Sequence, residues 1–424
     1  MERRTFFQSL PAGAMFAANL AGANDRVNVA MIGVRNQGRA LTANFSSQPL
    51  ANIAALCDVH ESSFGRALEA VEKSGRPKPR LHSDLRRVLD DKSIDAVVIA
   101  TPDHWHAPAT ILACDAGKDV YVEKPASHNL REGRLMVDAA RRNKRVVQLG
   151  TQSRSRPSTK RAIELIHGGA IGKVLMAKAW DVQLREDIGH KADSAPPAGL
   201  DFDIWTGPAP MLPFNENRFH YKWHWNWNYG TGDSGNDGVH QMDMCRWALQ
   251  VESPAAVTGM GKKLFFDDDQ QTPDTMNVTY DFGGKLIQFE MRIWNPYGME
   301  EQENGVAVYG SDGSIQIGRW KGVWGYRHYD AKGKLIEDTS KTPAVPDKEH
   351  AANFLRCIQS RQAPNAEIAI GHASSSLCHL GNIVARTGRA LKFDAAKETI
   401  VGDAEANRLL RREYRSHWSV PKGV

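Results

Sequence analysis

Short apolar runs alternate with amphipathic stretches over the first third of the chain, starting at residue 27. Runs rich in Val, Ile and Ala are typical of buried strands, and the stretches between them have helical spacing. The pattern predicts strands over residues 27–33, 53–58, 95–100, 119–122 and 146–149, and helices over 37–46, 62–74, 107–116 and 130–143. Strands that alternate with helices in this way form a parallel, doubly wound sheet.

After residue 150 the pattern changes to short strands separated by Gly, Asp and Asn. Strands are predicted over 173–183, 257–266, 276–282, 286–294, 306–309 and 315–317, with helices over 158–167, 349–360 and 374–387. Strands joined by turns indicate a large, mainly antiparallel sheet. We therefore predict an α/β protein with a first domain over 25–150 and an α+β substrate domain over 151–424, whose C-terminal helices are candidates to pack back on the first domain.

The first 23 residues have the features of an export signal. Arg3 and Arg4 precede a modestly apolar run from residue 10 to residue 20, which ends in Ala21-Gly22-Ala23, a small-x-small cleavage pattern. This resembles a twin-arginine signal, which carries folded proteins and so suits one that must bind a cofactor before export. An ordinary N-terminal helix is the alternative. The protein is expected to be periplasmic or otherwise exported, without membrane insertion.

Composition excludes several classes of protein. Of 424 residues, 41% are hydrophobic and 24% are charged, which is typical of globular chains rather than disordered ones. The 54 Lys and Arg against 49 Asp and Glu leave a formal net charge of +5, too small to indicate nucleic acid as the main partner. The arginines at 408, 411, 412 and 415 fall at helical spacing and are interpreted as a solvated helix face.

The first predicted strand is followed by a glycine turn with the spacing of a dinucleotide site. Gly33 and Gly38 occupy the outer glycine positions of G-x-G-x-x-G, and Arg35 stands at the middle one. Asp58 ends the second strand ~20 residues later, where a carboxylate would bind an adenosine ribose and repel a 2′-phosphate. A turn with an incidental aspartate is the alternative. We predict a Rossmann-type domain that binds NAD through Gly33, Arg35, Asn36, Gln37, Gly38 and Asp58.

Three further segments carry a family resemblance. They are Ala100-Thr101-Pro102-Asp103-His104-Trp105-His106, Glu123-Lys124-Pro125 and Gly238-Val239-His240-Gln241-Met242-Asp243. With the glycine turn they resemble the glucose–fructose oxidoreductase / inositol dehydrogenase / rhizopine-catabolism (Gfo/Idh/MocA) family over nearly the whole mature chain. The resemblance implies an NAD(P)-dependent enzyme that acts on sugars or cyclitols, and a homo-oligomer formed through an exposed sheet face.

The resemblance also implies roles for individual residues. Lys124 and His240 correspond to the catalytic pair, and many family members have an Asp four residues before that histidine. Here Asn236 holds that position with Asp237 beside it, which argues against an Asp–His proton relay. Further cofactor contacts are implied for Thr101, Pro102, His104, His106, Glu123, Lys124, Gln152 and Trp205.

An aromatic run from residue 220 to residue 229 is a candidate sugar platform, because aromatic faces stack on the apolar face of a pyranose. A half-buried strand would show the same alternation and is the alternative. We predict substrate contacts from Lys124, Tyr221, Trp223, His224, Trp225, Asn236, Asp237 and His240. The histidines and aspartates of these segments lack the ligand spacing of a zinc enzyme, and no metal is expected.

The sequence therefore predicts an exported, NAD-dependent oxidoreductase that oxidises a ring hydroxyl, with C3 favoured, of a small-molecule sugar or glycoside. The first alternative is an NAD-dependent glycoside hydrolase that works by transient C3 oxidation, elimination, hydration and re-reduction. The second is a non-catalytic sugar-binding protein built on the same fold.

Overall fold

The computed structural model describes residues 26–341 and 348–424. The predicted export signal over residues 1–23 lies outside these described residues. Among the described helices, none is both long and apolar enough to cross a membrane.

The first sheet is parallel throughout and has six strands in the order β3-β2-β1-β4-β5-β6. The order reverses between β1 and β4, so the carboxyl ends of these two strands flank a crevice. The prediction of a Rossmann-type sheet is confirmed. Its elements are β1 Val27–Ile32, α1 Asn36–Ser46, β2 Ala51–Cys57, α2 Phe64–Lys73, β3 Arg80–His82, α3 Leu85–Asp90, β4 Ala96–Ile99, α4 Asp103–Asp115, β5 Asp119–Val122, α5 Leu130–Arg142 and β6 Val147–Leu149.

The second sheet has ten strands, and its neighbouring strands run antiparallel except for the parallel pair β7 and β10. The prediction of a mainly antiparallel sheet is confirmed. The elements are α6 Pro157–His167, β7 Val174–Val182, α7 Phe202–Thr206, α8 Val239–Leu249, β8 Ala256–Lys262, β9 Thr275–Asp281, β10 Leu286–Arg292, β11 Asn304–Gly310, β12 Gly313–Trp320, β13 Val323–Asp330, β14 Leu335–Asp338, α9 Glu349–Ser360, α10 Ile368–Thr387, β15 Leu391–Asp394, β16 Thr399–Ile400 and α11 Ala404–Arg408.

Helices α6, α8 and α10 pack on this second sheet, and alternate strand residues supply the apolar side of the contact. In β9, for example, Met276, Val278 and Tyr280 are buried whereas the residues between them are not. The Tyr280 hydroxyl donates to the Leu377 carbonyl oxygen at 2.8 Å and so pairs its polar atom inside the core. Helix α10 also packs on α5 of the first sheet and joins the two halves of the molecule.

The C-terminal segment does not form the solvated helix face predicted for the arginines at 408–415. Helix α11 ends at Arg408, and the chain then runs back over the first domain. The Arg412 guanidinium donates to the Asn228 carbonyl oxygen at 2.9 Å, and burial lowers its pKa. Arg415 donates to the Gly207 carbonyl oxygen at 2.7 Å. Arg408 and Arg411 are exposed, as predicted, but the prediction is wrong for Arg412 and Arg415, because these two arginines cap backbone carbonyls of the loop between α7 and α8.

Candidate active site

The glycine turn between β1 and α1 is closed by backbone contacts that leave no space for side chains. Gly33 has a φ of +79°, and a Cβ there would lie 2.7 Å from the Ala100 carbonyl oxygen. A Cβ on Gly38 would lie 1.8 Å from the Gly33 carbonyl oxygen. Arg35 has a φ of −83° and an extended backbone, so the middle position needs no glycine for its conformation. The turn thus presents the N-terminus of α1 to the crevice, as dinucleotide pyrophosphate sites do.

Asp58 is held at the end of β2 by two backbone N–H groups. Val34 donates to its Oδ2 at 2.9 Å, and His60 donates to its Oδ1 at 3.0 Å. Burial raises the pKa of the carboxyl group, while these two hydrogen bonds act in the opposite direction. Asp58 therefore ties the glycine turn to β2 and still lines the crevice where an adenosine ribose would bind.

A cavity of about 540 Å³ extends from Asp58 to His240 and so joins the predicted cofactor and substrate residues. Its wall also includes side chains that sequence reasoning missed, among them Cys57, His60, Ser63 and Leu85 at the end near Asp58. The predicted residues that line it are Gly33, Arg35, Asn36, Gln37, Asp58, Thr101, Pro102, His106, Glu123, Lys124, Gln152, Trp205, Tyr221, Trp223, His224, Asn236, Asp237 and His240.

Three predicted site residues lie behind this wall. Gly38 packs against the back of the turn. His104 is buried, and its Nε2–H donates to the Trp205 carbonyl oxygen at 2.9 Å, so it positions the Trp205 loop and not a ligand. Trp225 is also buried, and its Nε1–H donates to Asp233 Oδ2 at 2.6 Å. His104 and Trp225 thus support residues of the cavity wall in this structure, and their direct contacts with cofactor and substrate stay predictions.

Glu123 lies at the end of β5 between two glutamine side chains. Gln37 and Gln152 each donate an amide N–H to Glu123 Oε1, at 3.1 and 3.2 Å. Burial raises the pKa of Glu123, and the Lys124 charge opposes this rise. The two amides fix the carboxyl group and, through the backbone, the start of the Lys124 side chain.

Lys124 connects the two domains across the cavity. Its Nζ donates to the carbonyl oxygen of Asn236 at 2.5 Å and to the Asn236 Oδ1 at 3.1 Å. Asn236 lies in a turn of π-helix directly before α8. The asparagine at the position where many family members have an aspartate thus acts as a neutral acceptor that anchors the ammonium group.

His240 lies in the first turn of α8 and has no hydrogen-bond partner among the residues that the structure describes. Burial lowers its pKa to about 3, and the charge of Lys124 contributes to the same shift. The imidazole is therefore neutral at physiological pH, with its ring nitrogens available to a ligand. Among the described residues no hydrogen bond joins His240 to Asp237, whose Oδ2 accepts instead from Gln183 at 2.7 Å and from Arg185.

The aromatic run does not form a strand, so the half-buried-strand interpretation is wrong. Residues His220–Trp225 form turns of 3-10 helix, which point successive side chains in different directions. The ring of His224 stacks on Trp223 with centroids 3.6 Å apart and an interplanar angle of 21°. Tyr221, Trp223 and His224 line the same cavity as Lys124 and form an aromatic wall.

Asp103 is a cavity residue that sequence reasoning did not select. It begins α4, and its Oδ2 accepts from the Thr231 hydroxyl at 2.7 Å. Burial raises its pKa to about 7. The sequence did offer one signal for a site residue here: Asp103 directly follows Pro102, at the end of a strand-to-helix turn.

Beneath the aromatic wall, Asp181, Asp233 and Asp237 bring carboxylate oxygens within 4.8 Å of one another. Arg185 forms ion pairs with Asp233 and Asp237. Burial raises the pKa of Asp181 well above its ordinary value, and the neighbouring Asp237 adds to the rise. The guanidinium occupies the position between two of these carboxylates and balances their charge.

Two family models match the chain. The "Oxidoreductase family, NAD-binding Rossmann fold" model matches residues 27–151, and the "Oxidoreductase family, C-terminal alpha/beta domain" model matches residues 179–420. The chain belongs to the Gfo/Idh/MocA family. The Rossmann domain is thus an NAD-binding domain of an oxidoreductase family, and the resemblance stated from the motifs is confirmed.

Individual relatives share part of this chain. A glycosyl hydrolase family 109 protein of Saccharopolyspora erythraea is 35% identical over 175 residues, and an alpha-N-acetylgalactosaminidase of Shewanella oneidensis is 30% identical over 176 residues. Each match covers 40% of this chain and 38% of the relative. An aldose-aldose oxidoreductase from Caulobacter crescentus, solved with glycerol, shares the fold with a TM-score of 0.67 at 20% identity, over 87% of this chain and 100% of that chain.

Proposed function

We propose that the protein is an NAD-dependent oxidoreductase that oxidises a ring hydroxyl of a sugar or glycoside, with C3 as the favoured position. The observation that carries this proposal is the pairing of an anchored Lys124 with a neutral His240, which has no hydrogen-bond partner among the described residues, in a cavity continuous with the dinucleotide turn. The aromatic wall of the same cavity suits the apolar face of a pyranose. The names of the related proteins, which refer to glycosides and aldoses, support the same substrate class.

The residues present fit NAD. The tight Gly33 and Gly38 packing leaves the N-terminus of α1 open to a pyrophosphate, Asp58 suits the ribose hydroxyls, and Gln37 and Gln152 line the path to the Lys124 end. When bound, NAD supplies the acceptor for a hydride from the carbinol carbon.

The side chains of this chain handle the proton of the reacting hydroxyl. The Lys124 ammonium, held by Asn236, places a positive charge beside the hydroxyl oxygen and stabilises the developing alkoxide. The neutral His240 imidazole accepts the proton. Because Asp237 is engaged by Gln183 and Arg185, His240 acts without a carboxylate partner.

Net glycoside hydrolysis is the second candidate, and the similarity to family 109 glycosyl hydrolases favours it. A carbonyl at C3 acidifies the C2 proton and sets the C1 substituent β to the carbonyl, so elimination can follow oxidation. Water addition and re-reduction would then restore the sugar and the cofactor.

A panel of aryl glucosides deuterated at C3 distinguishes these functions. A dehydrogenase accumulates ketone and reduced cofactor that carries the deuterium. A hydrolase releases the phenol, retains the deuterium at C3 and exchanges the C2 proton with solvent, without net NADH. A protein that binds the glucosides in calorimetry but forms neither product is a sugar-binding protein, and the proposed activity is then wrong.

The position of Asp58 predicts a strong preference for NAD. A 2′-phosphate beside this carboxylate brings like charges together, at a cost of several kcal/mol, so we expect NADP to bind about 10²-fold or more weakly than NAD. Asp58→Ser should narrow the gap by weakening NAD and relieving the repulsion of NADP. Titration calorimetry of cofactor-stripped protein measures both constants, and equal affinities in the wild type would contradict the assignment.

We also propose export through the twin-arginine route, on the basis of Arg3, Arg4 and the small residues that follow. Lys at both arginine positions should retain the precursor in the cytoplasm with its cofactor bound, and the exported wild type should begin near Asn24. Cell fractionation and N-terminal sequencing test this, with Arg26→Lys as the matched control. Normal export of the double variant, or Met1 on the exported protein, would contradict it.

We propose further that the protein is a homo-oligomer. Met260, Leu264 and Phe265, in β8 and the residues after it, are 59%, 66% and 60% exposed, and exposed apolar patches mark interaction surfaces. Sedimentation at micromolar concentration should show an oligomer, and Phe265→Ser should shift it toward the monomer. A monomeric wild type would refute the proposal.

A further inference from the structure

The C-terminal residues 410–423 form a strap that is bound at both ends to one residue of α5. The backbone N–H of Arg131 donates to the Leu410 carbonyl oxygen at 3.0 Å. The Arg131 guanidinium donates through Nε to the Gly423 carbonyl oxygen, also at 3.0 Å. The strap therefore leaves the first domain at α5 and returns to it at the same place.

Between these two ends the strap contacts α7. The Arg415 guanidinium donates through Nε to the Gly207 carbonyl oxygen and through Nη2 to the Asp203 carbonyl oxygen, both at 2.7 Å. Nη1 also donates to the Asp203 carboxylate at 2.6 Å, but that side chain is 62% exposed, so this ion pair contributes little. Arg415 thus holds α7 mainly by its backbone.

Helix α7 is part of the wall of the cavity described above. Ile204 and Trp205 line it together with Pro102 of the first domain. The Trp105 Nε1–H, from α4, is shared between the carbonyl oxygens of Ile204 and Trp205, each at 3.0 Å. The Trp105 ring in turn packs on Trp418 of the strap, with centroids 5.7 Å apart. The first domain and the strap therefore hold α7 together.

The cofactor part of the cavity has walls from both domains, the glycine turn from the first and α7 from the second. Movement of α7 away from the first domain would open this part of the cavity, and the contacts of the strap oppose that movement. We propose that Arg415 is a positioning residue, which holds α7 in place and thereby slows the release of NAD. The inference rests on the NAD site of the proposed function and holds for either of the two reactions considered there.

The test measures the rate at which the dinucleotide leaves. Stripped protein is reloaded with NADH and mixed with excess NAD, and the loss of NADH fluorescence excited through tryptophan gives the dissociation rate. We expect Arg415→Met to raise this rate by about 10- to 10²-fold, because the lost hydrogen bonds come from a charged donor. The association rate should change little, since the contact acts after NAD has bound. Arg415→Lys, which keeps a cationic donor, should restore part of the slow release.

Arg411→Met is the matched control. Arg411 lies in the same strap but is exposed, so its substitution should leave the dissociation rate at the wild-type value. Circular dichroism and melting temperatures show whether each variant is folded. If Arg415→Met does not fold, Arg131→Met takes its place, because it frees the end of the strap at Gly423 and leaves the contacts of Arg415 intact. It should raise the dissociation rate by a smaller factor.

Release at the wild-type rate from folded Arg415→Met overturns the inference, as does release from Arg411→Met that is as fast as from Arg415→Met. Where Arg131→Met carries the test, release at the wild-type rate from that variant overturns it. None of these measurements uses a sugar. Failure of the protein to oxidise or cleave any glucoside would overturn the proposed function without changing the release rates, so the two failures are distinguishable.

Discussion

Lys124→Met and His240→Ala should each lower kcat by on the order of 10²–10⁴, the range usual for positioned acid–base groups, while NAD remains bound. The Lys124→Met substitution removes the ammonium group that faces the reacting oxygen in the proposed mechanism. It also removes the hydrogen bond that joins the first domain to Asn236. The His240→Ala substitution removes a neutral imidazole that has no hydrogen-bond partner among the described residues. Steady-state turnover on the best aryl glucoside, together with the dinucleotide released on denaturation, measures both parts of this prediction.

Matched substitutions outside the cavity distinguish the loss of a proton-transfer group from a general effect of the substitution on the fold. Lys392→Met, at an exposed position of β15, and His167→Ala, at the end of α6, remove the same functional groups outside the cavity, and both should keep wild-type turnover. Full activity in either Lys124→Met or His240→Ala would show that the residue is not a proton-transfer group. Loss of NAD along with activity would instead assign the residue to cofactor binding.

The core of the first domain could be predicted because buried parallel strands are continuous apolar runs. In β1 and β4 nearly every residue is buried, because helices cover both faces of the sheet. Both faces of each strand therefore carry apolar side chains. Strand β3 was missed because it has three residues, with Arg80 and Leu81 exposed at the edge of the sheet. Such a short, half-polar segment has no pattern that distinguishes it from a loop.

Helix α8 was missed for the opposite reason. Almost all of its residues are buried, so it lacks the polar stripe that marks a helix at the surface. Its buried Asp243 accepts two hydrogen bonds from the Arg154 guanidinium, at 2.7 and 2.9 Å. The positive charge of Arg154 compensates the buried negative charge of Asp243. Only the tertiary partner makes the aspartate compatible with a buried helix.

Motif spacing located the cavity but could not give the direction of each side chain. His104 and His106 are two residues apart, and because α4 begins at Asp103 they point to different neighbours. His104 meets the Trp205 carbonyl oxygen, whereas His106 meets the carbonyl oxygens of Thr101 and Pro125. The direction of the Trp225 side chain could not be predicted either. The sequence suggested side chains that alternate between two faces, whereas residues His220–Trp225 form 3-10 turns.

A second large effect, a loss of NAD affinity, is expected from Gly38→Ala in the glycine turn. A methyl group at this position would lie 1.8 Å from the Gly33 carbonyl oxygen, so either the turn or the start of α1 must move. Overpacking of this kind costs typically ~1–3 kcal/mol, which corresponds to about 5- to 160-fold in an equilibrium constant. We expect NAD affinity to fall by this factor, because the displaced atoms are those that approach the pyrophosphate.

Gly65→Ala is the matched control for this substitution. Gly65 lies inside α2, where an added Cβ meets no atom of the described residues within 4 Å, so alanine should leave NAD affinity unchanged and stabilise the fold by up to ~1 kcal/mol. Calorimetric titration of the stripped proteins with NAD, and their melting temperatures, give the comparison. Equal NAD affinity in the two variants would mean that the turn tolerates displacement, and Gly38 would then matter for strand-to-helix packing alone and not for the cofactor.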